Sequence, residues 1–161
     1  MSTTKRKSIE LLPDHTLQGG RFRIIKSLGR GGYGITYLAE QTDLEISVCI
    51  KEFYIDSLGH RGDDGCSFVP HSDEQAAELA LYRNRFLKEA RTLARLEKHN
   101  NPNIVRVRSC FEENGTAYYA MEYIEGCSLA DKVNARGALS EAVAVDYIKQ
   151  VASALDYIHQ R

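Results

Sequence analysis

Three short runs of alternating apolar character follow one another early in the chain: FRIIKSL at 22–28, GITYLAEQ at 34–41 and ISVCIKEFY at 46–54. They are rich in Ile, Val, Tyr, Phe and Thr, and glycine-rich or polar turns separate them, which is the pattern of antiparallel strands. From Asp73 to Glu97 the period lengthens. Leu79, Tyr82, Phe86, Ala90 and Leu93 recur at three- and four-residue steps, predicting one long amphipathic helix. Beyond an Asn-rich break holding Pro102, two more strands are predicted near 104–112 and 116–124, around the turn ENG at 113–115. A short helix from about Ser128 to Gly137 follows, and then a long one from Ser140, with Ser140 as N-cap and Glu141 in its first turn. The order β-β-β-α-β-β-α-α predicts an α+β fold, a five-stranded antiparallel sheet with one long helix packed on it and a helical extension. Residues 1–20 read as a flexible polar tail. Residues 55–72, rich in Gly and Asp, read as a peripheral hairpin turned at Asp64-Gly65.

Composition narrows the classes. With 161 residues, 43% hydrophobic and 27% charged, the chain has enough apolar material for one modest globular core. A net charge of −1 gives no general attraction to nucleic acid or anionic membrane. The basic cluster KRK at 5–7 reads as a solvated terminus. No apolar run approaches a membrane span, and no signal-peptide segment is present. Cys49, Cys66, Cys110 and Cys127 form no CxxC pair, which suits a reducing, cytoplasmic setting. His60, Cys66 and His71 in the 55–72 segment match no standard zinc spacing, so no metal site is assigned.

The chemistry gathers around LGRGGYGITYLAE at 28–40. Gly29, Gly31 and Gly34 match G-x-G-x-x-G, and Gly32 adds a fourth glycine. Alone this is a weak signal, because a tight hairpin in any sheet protein looks similar. A dinucleotide fold needs a helix after the glycines, whereas ITYLAEQ reads as a strand. The glycines therefore predict a hairpin whose backbone N–H groups approach an anion unobstructed by Cβ atoms. Tyr33 at its tip is either a flap or an exposed turn aromatic. In ISVCIKEFY, alternation puts Ile46, Val48 and Ile50 on one face and Cys49, Lys51 and Phe53 on the other. Lys51 there needs a partner or a ligand unless its head reaches water. Glu89 falls within the Tyr82, Leu93 and Leu96 stripe, on the face expected to be buried, and a carboxylate there calls for a cation. Lys51 is the candidate.

Taken in order, LGRGGYGITYLA, VCIK at 48–51, FLKEARTLARL, NPNIVRV and AYYAMEYIEGCSL resemble the small lobe of a protein kinase, from about Arg21 to Arg161. GGYGITYLA particularly resembles the Ser/Thr kinases of bacteria. The resemblance implies a tail at 1–20, an ATP-binding small lobe at 21–124 with 55–72 inserted, and a hinge exit with the first large-lobe helices at 125–161. It implies ATP and Mg²⁺ as cofactors. Leu28, Gly29, Arg30, Gly31, Gly32, Tyr33, Gly34, Ile35 and Thr36 would surround the nucleotide, with the glycines over the phosphates. Lys51 would hold the α- and β-phosphates, and Glu89 would pair with it. Thr36, Cys49 and Leu129 would line the adenine slot, where the family usually has Val and Ala at the first two positions. Met121 would guard the back pocket, and Glu122 and Tyr123 would form the hinge. Ser128 would touch the ribose, or it is simply a helix N-cap. Leu93 and Val107 would join the apolar stack between helix and sheet. The family's HPNIV appears as HNNPN, displacing His99 by two residues.

Neither HRD nor DFG occurs in the 161 residues. The resemblance therefore implies that the general-base Asp and the metal ligands are not in this chain. It reads as the N-terminal piece of a longer kinase, incompetent alone, whose partners are ATP and a protein substrate. Ala144, Tyr147, Ile148, Val151, Ala152, Leu155 and Ile158 form an apolar stripe that favours self-association through 140–161. Two other readings stand beside this one. The first is a pseudokinase or scaffold lobe that binds nucleotide or a partner without catalysis. The second is an unrelated α+β interaction domain whose matches are accidental.

Overall fold

A computed structural model describes residues 8–96 and 101–160, so KRK at 5–7 and His99 lie outside the described residues. In chain order the elements are β1 (Thr16–Leu17), β2 (Phe22–Gly31), β3 (Gly34–Gln41), β4 (Ile46–Phe53), β5 (Gly59–Arg61), β6 (Phe68–Pro70), α1 (Asp73–Leu96), β7 (Val107–Glu113), β8 (Thr116–Glu122), α2 (Leu129–Arg136) and α3 (Glu141–His159). The main sheet is antiparallel, in the order β1-β2-β3-β4-β8-β7. Where five strands are predicted, six form, because β1 adds two residues to the edge of β2. The predicted insertion hairpin forms as the separate pair β5–β6.

β4 lies between β3 and β8, and its register fixes which residues share a face. Thr36, Lys51 and Tyr119 lie side by side across three strands, as do Leu38, Cys49 and Met121. This inner face receives α1. Phe86 sits 5.5 Å from the ring of Phe53 and 4.9 Å from that of Tyr119, centroid to centroid. Leu79, Leu87 and Ala90 are buried along the same side of the helix. Each large side chain of this kind contributes roughly 2–3 kcal/mol when fully withdrawn from water.

The outer face carries Ile35, Tyr37, Ala39, Val48, Ile50, Glu52, Tyr118 and Ala120, all of them buried. Residues 8–17 and the β5–β6 hairpin cover it. The expected flexible tail over 1–20 is corrected within residues 8–17: Leu11 and Leu17 are 3% and 0% exposed, because the apolar outer face gives them somewhere to pack. A buried ion pair ties the cover down. Arg61 donates from Nη1 to Glu52 Oε1 and from Nη2 to Oε2, both at 2.7 Å. The hydroxyls of Tyr37 and Tyr118 donate to the same carboxylate at 2.7 and 2.9 Å. Arg61 also donates to the carbonyls of Ile9 at 2.8 Å and Cys66 at 2.7 Å, and Tyr37 Oη accepts from the Leu11 amide at 3.1 Å. Burial lowers the Arg61 pKa, but its bonds to Glu52 and that residue's charge more than reverse the effect, leaving it above the ordinary value.

Ser128 accepts from the Asp131 amide and Asp131 reaches back to the Ser128 amide, a reciprocal cap on α2; Gly137, at φ 79°, ends the helix. That bonding holds the Asp131 carboxyl below its usual pKa, chiefly through the Ser128 hydroxyl. Ser140 occupies the N-cap position of α3 without a side-chain cap bond. No residue of α3 is buried, and Val143, Val145, Ile148, Val151, Leu155 and Ile158 are exposed. Tyr157 Oη donates to the Leu96 carbonyl at 2.9 Å, and Lys132 Nζ to Tyr147 Oη at 2.7 Å. Among the described residues no helix is long and apolar enough to cross a membrane.

Candidate nucleotide site

Four glycines cluster at the β2–β3 hairpin for two separate reasons. At Gly29, Gly31 and Gly32 a Cβ would meet nothing within 4 Å, so these positions leave open space above the backbone. At Gly34 a Cβ would lie 2.2 Å from the Glu52 carbonyl oxygen, so glycine is demanded by the close approach of β4. Gly31 and Gly34 are register partners, which leaves Gly32 and Tyr33 as the turn. Tyr33 is 68% exposed, and its carbonyl accepts from the Tyr54 amide at 3.3 Å.

Beside Tyr33 is a cavity of about 280 Å³ lined by Tyr33, Lys51, Phe53, Tyr82, Arg85, Phe86 and Glu89. Lys51 Nζ lies 4.0 Å from Glu89 Oε1, so the predicted strand–helix pair forms. Its setting differs from the expectation of a buried carboxylate, since the Glu89 side chain is 56% exposed. The helix packs through Phe86, Leu87 and Ala90, which leaves Glu89 on the flank that faces the cavity. A pair this open contributes at most about 1 kcal/mol. Lys51 has further support: its ammonium lies 5.5 Å from the Tyr119 ring centroid and 5.9 Å from that of Phe86. Such contacts contribute roughly 0.5–2 kcal/mol and rise as water leaves. Burial pushes the Tyr119 phenol up, while neighbouring Lys51 acts in the opposite direction.

Of the residues the resemblance places around the nucleotide, Leu28, Gly29, Arg30, Gly31, Gly32, Tyr33 and Thr36 lie along the exposed arms of the hairpin or on the inner face. Ile35 does not, because its side chain is fully buried on the outer face, one step out of phase with Thr36. Arg30 has its side chain turned to Asp56. Cys49 and Met121 share the inner face with Lys51; burial pushes the Cys49 thiol up, and Lys51 partly offsets this. The Glu122 amide donates to the Arg106 carbonyl at 2.9 Å, and its carboxylate accepts from the Arg106 amide at 2.9 Å. Glu122 and Leu129 line a separate groove of about 390 Å³ with Ile104, Tyr147, Val151 and Leu155. Tyr123 is half-buried at the end of β8. The Ser128 hydroxyl is engaged with Asp131 as an N-cap.

Tyr82, Arg85, Phe86 and Tyr119 are additions to the predicted set. Tyr119 stands directly opposite Lys51 on β8, a relation that only strand register reveals. Arg85 lies one turn before Glu89 on α1 and brings a second cation to the cavity. The ring planes of His60 and His71 stack at 5.3 Å, but among the described residues no three His, Cys, Asp or Glu side chains converge on a metal site. Among the described residues, then, no such cluster is assembled for the Mg²⁺ that the resemblance implies.

A glycine hairpin over a strand lysine and a helix carboxylate, on one face of a curled antiparallel sheet, defines the small lobe of a protein kinase. The chain belongs to that family: the protein kinase domain model matches residues 22–161. It is 31% identical over 141 residues to serine/threonine-protein kinase PrkC of Bacillus subtilis, covering 88% of this chain and 18% of that protein. To serine/threonine-protein kinase pkn2 of Myxococcus xanthus it is 34% identical over 151 residues, covering 94% and 15%. The solved apo form of PpkA-294 superposes with a TM-score of 0.71 at 32% identity, over 80% of this chain and 43% of that one. A cysteine-to-alanine mutant of the Mycobacterium tuberculosis PknI kinase domain shares the fold, with a TM-score of 0.69 at 23% identity over 94% of this chain and 53% of that one. The chain thus spans less than a fifth of the length of PrkC or pkn2.

Proposed function

We propose that this chain is the ATP-binding lobe of a protein Ser/Thr kinase, which transfers the γ-phosphoryl group of ATP to protein hydroxyls. One observation carries the reading: Lys51 and Glu89 meet at 4.0 Å on the wall of a cavity that Tyr33 of the glycine turn also lines. Amides from Gly29 to Gly32 and the Lys51 ammonium supply the donors and positive charge that a polyphosphate needs. Arg85 at the cavity rim adds to that field. Thr36, Cys49 and Met121 share the inner face with Lys51, which supports an adenine surface there, whereas Leu28 and Leu129 are assigned to the adenine by resemblance alone. Glu122, Tyr123 and Ser128 are assigned to the hinge and ribose by resemblance alone.

On this reading the chain binds nucleotide but does not transfer phosphate alone. None of its motifs matches the general-base Asp or the metal ligands that the resemblance implies. Four free thiols support a reducing, cytoplasmic setting for this part of the protein. The exposed apolar face of α3 supports self-association when the lobe stands alone.

The test is ATP titration of the chain and its Lys51→Met variant, followed by phosphotransfer from the full-length protein to a hydroxyl-bearing substrate. Saturable binding lost in Lys51→Met, with transfer by the full-length protein, is expected. Binding without transfer in the full-length protein would favour a pseudokinase, and no binding by either would contradict the proposal.

A further inference from the structure

The 55–72 insertion has no part in the reading above, yet it is anchored to the lobe at several points. Arg61 is 2% exposed and fixed to the fully buried Glu52. The Phe68 amide donates to the Asn114 carbonyl at 2.7 Å, joining the hairpin to the β7–β8 turn. Gln75 Nε2 donates to the Ser57 carbonyl at 2.8 Å, joining it to α1. The glycine turn is the opposite case. Gly29, Gly31 and Gly32 carry no side chain to pack, and a segment so rich in glycine loses much backbone freedom when it is held in one place.

The two meet at Arg30. Its guanidinium forms an ion pair with Asp56, the second residue of the insertion, and lies 5.5 Å from the Tyr54 ring. Arg61 lies 4.8 Å from the same ring. The Tyr54 amide holds the Tyr33 carbonyl at the turn's tip. A continuous chain of contacts therefore runs from the buried Glu52, through Arg61 and Tyr54, to the arm of the phosphate-covering turn. Glu52 is the neighbour of Lys51 on β4, so one strand anchors both the lysine and the post that holds the turn.

We infer that Arg30 and Asp56 are positioning residues: they latch the glycine turn down over the nucleotide phosphates, with the insertion as the fixed post. The inference rests on the nucleotide reading for its purpose, but the latch itself is a property of the free chain. It acts at residues 30–33, beyond the inner-face positions assigned to adenine. It therefore distinguishes nucleotides that carry phosphates from those that do not. The pair is partly exposed, at 33% for Arg30 and 62% for Asp56, so its effect is modest, about two- to fivefold.

The experiment compares wild type, Asp56→Asn and the charge swap Arg30→Asp/Asp56→Arg. Asp56 is a surface residue whose backbone carbonyl meets His71, so the asparagine variant keeps the fold. Amide hydrogen exchange at residues 29–34 is measured without nucleotide, and affinities for ATP and for adenosine are measured separately. The latch predicts exchange about two- to fivefold faster in Asp56→Asn and recovery in the swap. It also predicts weaker ATP binding by a similar factor, with adenosine unchanged. Unchanged exchange in Asp56→Asn, no recovery in the swap, or an equal loss for adenosine would overturn it. If wild type bound neither ligand, the nucleotide reading would fail, while the exchange comparison would still decide the latch.

Discussion

Replacing Arg61 by Met removes the cation from a carboxylate with no access to water. Glu52 is 0% exposed and Arg61 2%, and four bonds of 2.7–2.8 Å leave with the guanidinium: two to Glu52, one to the Ile9 carbonyl and one to the Cys66 carbonyl. The hydroxyls of Tyr37 and Tyr118 remain, but they bring no charge. Breaking a buried pair from one side costs about 3–5 kcal/mol, because the surviving ion keeps its desolvation penalty and loses its compensation. Removing the Glu52 charge as well, in Glu52→Gln/Arg61→Met, relieves part of that penalty, so the double variant is expected to lose less than the sum of the singles. Urea unfolding followed by circular dichroism reads the effect. With a slope of about 2 kcal/mol per molar, the midpoint falls by about 1.5–2.5 M for Arg61→Met. A fall of less than about 0.5 M, or strict additivity of the two substitutions, would refute the argument that Glu52 depends on Arg61.

Other consequences follow from the same geometry. Glu89→Ala should leave thermal stability within about 0.5 kcal/mol of wild type, because the side chain is more exposed than buried; a larger loss would mean that the carboxylate supports the fold. Tyr119→Leu should weaken ATP binding more than Tyr119→Phe, since the ring beside the Lys51 ammonium is lost only in the first; equal effects would assign the role to the hydroxyl. Burial, and after it the Glu52 charge, hold the Tyr37 and Tyr118 phenols above the ordinary range. Their folded-state values are raised, so the associated stability is complete below about pH 10 and falls as pH climbs further, by up to about 1.4 kcal/mol per unit for each tyrosine. Tyrosinate absorbance for these two should therefore appear together with alkaline unfolding, and its appearance in a folded protein would contradict the burial argument. The exposed apolar face of α3 should make the chain self-associate as concentration rises, so a monomer at every concentration by light scattering would count against it.

The parts of this lobe that were legible in the sequence are those whose signal is periodic. Alternation in ISVCIKEF placed Lys51 on the face that meets the helix, and the three- and four-residue steps through Leu79, Phe86 and Ala90 gave α1 its buried side. The Asp64-Gly65 turn gave the insertion its hairpin. The same alternation puts Glu52 in phase with Val48 and Ile50, hence on a buried face where it has to find a cation. Its partner could not be read, because Arg61 lies in an irregular segment where no period constrains direction. Leu11 and Leu17 were hidden for a related reason, as single apolar residues among polar ones reveal no face until the sheet offers one. A contiguous motif does not place Ile35, because adjacent strand residues point to opposite faces. Glu89 was expected to be deeper than it is because a helix packed on a sheet by one edge leaves its flanks open.

The most direct test of the central claim is to follow backbone amide resonances of the chain while ATP is added, in wild type and in Lys51→Met. The account predicts saturable shifts concentrated at residues 28–36, around Lys51 and around Glu89, and their loss in the variant. Shifts confined to the α2–α3 region, or an unchanged response in Lys51→Met, would contradict it.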